Sequence, residues 1–154
     1  MSPRTHGWSL FGGLTVAVGA LDQASKLVVA QLLERGERVD LIPGVELVSV
    51  RNRGIAFGLL ADGGAAIPVL TGVAVLAMLA WFARHAAAPG AWLPIGLLVG
   101  GALGNLADRV RAGSVTDFID LPLWPAFNLA DIAIVAGLAV LLVAPLLGRE
   151  HGRA

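Results

Sequence analysis

Residues 65–83 read AAIPVLTGVAVLAMLAWFA, a run without a single charged side chain. A helix rises about 1.5 Å per residue, so this run alone spans nearly 30 Å, the hydrocarbon thickness of a bilayer. Three other stretches share its character. Residues 86–107, AAAPGAWLPIGLLVGGALGNLA, carry no charge either. Residues 126–148 are apolar apart from Asn128 and Asp131. Residues 11–33 are apolar apart from Asp22, Lys26 and a few small polar groups. The composition agrees: 14% of residues are charged and 56% hydrophobic, where a soluble domain carries about 25% charged residues. The pattern predicts an all-α membrane protein, one domain over residues 1–154, with four transmembrane helices. Arg4 followed by an apolar run fits a cleaved leader loosely. The apolar character runs on past Lys26 and three further spans follow, so a retained first helix is expected.

The connections differ in kind. Residues 34–64 are long and polar. Within them RVDLIPGVELVSVRNRG (38–54) places Pro43-Gly44 between two β-prone runs, which predicts a small hairpin or sheet outside the bilayer, at about 36–60, between helices 1 and 2. Residues 84–90 make a short turn, and 108–126 form the third connection. Four spans put both termini on one side, but arginines fall on both sides, so the positive-inside rule does not settle orientation. Gly96, Gly100 and Gly104 form a smooth stripe for close helix packing.

Zero net charge points to no nucleic-acid or acidic partner. The lack of cysteine excludes disulfides, thiolate catalysis and cysteine metal sites. The three histidines, at 6, 85 and 151, lie near the termini or the short turn, a poor basis for a histidine hydrolase or metal site.

The polar residues inside the apolar stretches carry the chemistry. Asp22 and Lys26 are four apart and share a helix face, where each can neutralise the other. Lys26 is the only lysine, so a Ser–Lys protease would need it. Adjacent Ser25 points about 100° away, and Ser114 would have to approach through the fold. In RNRGIAFG (51–58), Asn52 offers donor and acceptor groups and Gly54 and Gly58 permit tight geometry. GNLADRV (104–110) sets Asn105 beside Asp108 and Arg109. TDFID (116–120) and FNLAD (127–131) supply Asp117, Asp120, Asn128 and Asp131. An aspartate in a span is costly when ionised and calls for a function. Two close carboxylates share a proton, and such a pair can activate water for amide hydrolysis. Two other readings stay open at this point. Asp117, Asp120 and Asp108 could hold Mg²⁺ for lipid transfer, or the acids could belong to a small transporter or assembly factor.

The motifs DQASK (22–26), NRGIAFG (52–58), GGALGNLADRV (100–110), VTDFID (115–120) and FNLADIAI (127–134) occur in this order. Together they resemble lipoprotein signal peptidase, bacterial signal peptidase II, over nearly the whole chain. The resemblance implies an aspartyl endopeptidase of the bacterial cytoplasmic membrane that cuts prolipoproteins just before a diacylglyceryl-modified cysteine. It implies cytoplasmic termini, a site near the extracytoplasmic face, membrane lipids as surroundings, a monomer, and no cofactor or metal. Carried over by motif, the catalytic pair is Asp117 and Asp131. Asn52, Gly54, Asn105, Arg109 and Asn128 match polar or turn positions at the site. Asp22 and Lys26 match a supporting pair, and Asp108 a family aspartate whose role stays open. GIAFG (54–58) would belong to a substrate platform. FIDLPLWPA (118–126) departs from the family: it is shorter than the loop or short helix that covers the site in many members.

Overall fold

The structure, a computed structural model, describes residues 1–54 and 64–150. Ser2 caps the first helix by accepting a hydrogen bond from the Thr5 N–H (3.2 Å), and Pro3, which has no N–H to satisfy, begins it. This helix, α1, runs Pro3–Leu32, and three more follow: α2 (Ala66–His85), α3 (Trp92–Ala112) and α4 (Leu129–Glu150). The third therefore starts later and ends later than the expected span 86–107. Residues 86–91 lie outside it, while Asp108 and Arg109 are helical.

α3 is the central helix and packs against the other three. Its glycines make this possible. A Cβ at Gly96 would sit 3.0 Å from Leu14 Cδ2, at Gly100 2.8 Å from Val18 Cβ, and at Gly104 2.5 Å from Asp22 Oδ2. The stripe is the seat of α1. Gly101, one residue round, meets the Ala130 carbonyl and Ile134 and seats α4. A core of Phe11, Val75, Phe82, Ile95 and Val99 fills the centre, with Phe11 stacked on Phe82 at 4.5 Å.

The outer surface is apolar. Val16, Leu27 and Val28 of α1, Val69, Leu70, Val73 and Leu76 of α2, and Val135, Leu138 and Leu142 of α4 are all exposed. A surface of this kind is stable against lipid, not water, and the chain is a membrane protein. α1 and α2 are each long and apolar enough to cross a bilayer, and Leu129–Val143 of α4 is a shorter apolar stretch.

The sheet extends beyond residues 36–60, the region expected to hold it. The sheet has four strands in the order β1 (Arg38–Ile42), β2 (Val45–Asn52), β3 (Val115–Leu121) and β4 (Trp124–Phe127), all antiparallel. Half of it comes from the connection between α3 and α4. Strand pairing ends at Asn52, and residues 55–60 of the expected region lie outside the described residues. Gly113 (φ +66°) ends α3 in the left-handed conformation, returning its N–H to the Arg109 carbonyl at 2.9 Å, and the chain enters β3 two residues later. The two hairpins use matching turns: Pro43-Gly44, with Gly44 at φ +83°, and Pro122-Leu123, with Leu123 at φ +65°. Phe118 on β3 packs with Val29 of α1 and with Leu33, which caps that helix, and this sets the sheet on the bundle's end.

Candidate active site

Asp117 is the third residue of β3. Three contacts fix the start of that strand: Asp117 lies opposite Val50 of β2, the Thr116 N–H donates to Asp108 Oδ2 (3.3 Å), and Arg51 Nη1 donates to Thr116 Oγ1 (2.9 Å). The Asp117 carboxylate is 2% exposed. Its Oδ2 accepts from Asn52 Nδ2 (2.9 Å) and its Oδ1 from Asn128 Nδ2 (2.6 Å). The Asn52 side-chain oxygen accepts the Gly54 N–H at 2.9 Å, so only its amide nitrogen can face the carboxylate. Burial pushes the Asp117 carboxyl up to about 6, with help from Asp131. The bonds from Asn52 and Asn128 and the charge of Lys26 oppose it.

Asp131 is the third residue of α4, and Asn128 caps that helix. The Asp131 N–H donates to Asn128 Oδ1 (3.1 Å) while the Asn128 N–H donates to Asp131 Oδ2 (3.2 Å), a reciprocal capping box. Asn105 Nδ2 donates to Asp131 Oδ1 at 2.8 Å. A carboxylate in the first helical turn also gains from the helix dipole. Asn128, fully buried, thus touches both aspartates: Nδ2 binds Asp117, and the backbone and Oδ1 bind Asp131.

Behind this pair lies a second layer. Lys26 Nζ donates to Asp22 Oδ2 (2.8 Å), to Asn105 Oδ1 (2.9 Å) and pairs with Asp108 Oδ2 (3.0 Å). Asp22 Oδ1 accepts the Ala130 N–H at 3.0 Å, satisfying one of the open donors at the start of α4. Asp108 touches Lys26, Gln23 and the Thr116 N–H, so it positions β3. Arg109 Nη2 donates to the Gly54 carbonyl (2.9 Å), and its buried Nε has no partner among the described residues.

Asn52, Asn105, Arg109, Asp117 and Asp131 line a single cavity of about 350 Å³. Trp124–Phe127 of β4 form one wall. Ile67 and Thr71 of α2, Ala102 of α3, and Ile134 and Val135 of α4 extend the cavity as an apolar slot between helices. Water chemistry at one end and lipid-like surroundings at the other suit an amide bond attached to apolar chains.

The competing readings lose their geometry here. Asp120 is drawn away to Arg38 (2.5 Å) and Asp108 to Lys26, so the three acids do not converge for Mg²⁺. Among the described residues no group of three acids or histidines is placed to hold a metal. Ser25 Oγ donates to the Asp22 carbonyl (2.8 Å) and Ser114 to the Ala112 carbonyl (3.5 Å), so neither forms a pair with Lys26.

The model of the family Signal peptidase (SPase) II matches residues 14–147. The chain belongs to the signal peptidase II family. The lipoprotein signal peptidase of Syntrophomonas wolfei is 44% identical over 93% of this chain and 97% of its own. That of Halothermothrix orenii is 40% identical over 80% and 86%. A solved bacterial membrane enzyme superposes with a TM-score of 0.84 at 31% identity, covering 94% of this chain and 91% of that one. Signal peptidase II is a protease family.

One member of the second layer escaped the sequence reading. Gln23 donates to Asp108 Oδ1 (2.9 Å) and the Gly104 carbonyl (3.2 Å) and accepts from Arg111 (2.9 Å). Its signal was its place inside DQASK, next to the pair already singled out. FIDLPLWPA, expected as a shortened lid, is most of the β3–β4 hairpin and walls the cavity. The expected platform GIAFG lies, beyond Gly54, outside the described residues.

Proposed function

We propose that residues 1–154 form a single membrane aspartyl endopeptidase that removes signal peptides from diacylglyceryl-modified prolipoproteins. It cuts before the lipidated cysteine. One observation carries the reading: Asp117 and Asp131 open into one cavity, are joined through Asn128, and face an apolar slot between helices. The relatives' shared name, lipoprotein signal peptidase, supports the substrate. All four helices cross the cytoplasmic membrane of a bacterium, with cytoplasmic termini and the sheet and site at the outer face. The protein acts as a monomer, without cofactor or metal.

The dyad divides the work by environment. Asp131, held by donors at a helix N-terminus, takes a proton from water as the water oxygen bonds to the scissile carbonyl carbon. Asp117, which burial protonates more readily, gives a proton to the carbonyl oxygen. On collapse that proton returns to Asp117, the C–N bond breaks, and the cysteine nitrogen leaves with the proton from Asp131. Arg109 lines the cavity where negative charge develops.

The test is cleavage of a diacylglyceryl-modified prolipoprotein in detergent with chelator present. Wild type should cut before the lipidated cysteine, while Asp117→Asn and Asp131→Asn should be inactive yet folded. Near-normal turnover by either variant refutes the dyad.

A further inference from the structure

Groups that can only donate fix the orientation of the site's asparagine amides. The Asp131 N–H points at the Asn128 side chain, so the atom it meets is the oxygen, and Asn128 Nδ2 must face Asp117 and Asn105. A lysine ammonium also has only donors. Lys26 lies 2.9 Å from the Asn105 side chain, so the atom facing it is Oδ1, and Nδ2 is turned to Asp131. A flipped Asn105 would present an amide N–H to an ammonium and a carbonyl to a carboxylate.

We propose that Lys26 is a positioning residue for the dyad and acts through Asn105, holding the amide so that its N–H is always aimed at Asp131. This rests on the assignment of Asp117 and Asp131 as the catalytic pair. The Asp22–Lys26 pair is therefore more than an anchor between helices. Lys26 is 5% exposed and Asp22 0%; burying such a pair brings little stability by itself. The arrangement makes sense as a fixed donor: the ammonium, held by Asp22 and Asp108, presents an N–H to Asn105 Oδ1.

The charged groups around the dyad are Lys26 and Asp22 on α1, Asp108 and Arg109 on α3, and the aspartates themselves. Arg51 on β2 is turned to Thr116, and α2 lines the cavity with Ile67 and Thr71. Among these, Lys26 is the cation whose contact runs straight through an amide to Asp131.

The experiment is a double-mutant cycle on the full chain in detergent, with Lys26→Met, Asn105→Ala and the double variant. If Lys26 acts through Asn105, Lys26→Met lowers kcat by roughly tenfold to a hundredfold, on the scale of losing an outer hydrogen-bond partner of a metal ligand, with KM little changed. Its pH profile moves to higher pH, because Lys26 lowers the Asp117 ionisation. In the Asn105→Ala background the same substitution costs little more in kcat. Equal losses in both backgrounds overturn the proposal. Where Lys26→Met does not fold, the sole lysine gives a second measurement: ¹⁵N-lysine labelling yields one ammonium resonance. Asp131→Asn should shift it in the wild-type background and leave it unmoved when Asn105 is alanine. A resonance insensitive to Asp131→Asn, or equally sensitive in both backgrounds, overturns the proposal. Failure of the dyad reading looks different, since Asp117→Asn or Asp131→Asn would then still cleave.

Discussion

Asp117→Asn should change how stability depends on pH, and the structure sets the sign and the size. Asp117 is 2% exposed and ionises at about 6 in the folded protein, against 3.8 for an ordinary aspartate. The folded state binds this proton more tightly than the unfolded chain. The stabilisation is therefore complete below pH 3.8 and is lost as pH rises through about 6. The difference between those values corresponds to about 3 kcal/mol. Asparagine at 117 cannot ionise, so the variant is the reference. Wild type should gain about 3 kcal/mol over Asp117→Asn between pH 7.5 and pH 3.8. At roughly 2–4 °C per kcal/mol for a chain of this size, its midpoint should rise by about 6–12 °C relative to the variant. Thermal unfolding in one detergent across that range measures it. A constant offset between the two proteins, or a wild type that weakens relative to the variant in acid, would refute the claim that burial dominates this carboxyl.

Further outcomes concern the pH profile, the glycine contacts and the β3–β4 turn. The kcat/KM profile should fall through an ionisation near 6 on its alkaline limb, where Asp117 loses its proton. The kcat limb should lie higher, because a bound substrate displaces water and raises a buried carboxyl further. Gly104→Ala places a Cβ 2.5 Å from Asp22 Oδ2 and should cost about 1–3 kcal/mol in thermal unfolding. Gly13→Ala, where a Cβ meets nothing within 4 Å, should be neutral or slightly stabilising. Leu123→Gly should raise stability by at most about 1 kcal/mol in the same assay, since it relieves a positive φ on a β-turn leucine.

Residue by residue, the chain announced its membrane class and its central helices, and marked Asp117 and Asp131 as candidates for a reactive pair. These rest on local properties: uncharged runs long enough to span lipid, and acids where ionisation is costly. The Pro43-Gly44 hairpin was legible because proline then glycine is what its turn demands. The β3–β4 hairpin was not, although its turn has the same form, because Leu123 stands where glycine would have signalled it. The tertiary structure alone decided that the two hairpins pair into one sheet, since strand pairing across more than sixty residues of intervening chain leaves no local trace. It also decided what each polar residue does. Asp108 could not be told from a metal ligand or a third acid until its contacts with Lys26 and the Thr116 N–H were seen. Spacing of three and four puts Asn105, Asp108 and Arg109 near one another on a helix. Which of them turns to Asp131, and which way its amide points, depends on donors brought from Lys26 of α1 and from Asn128 just before α4.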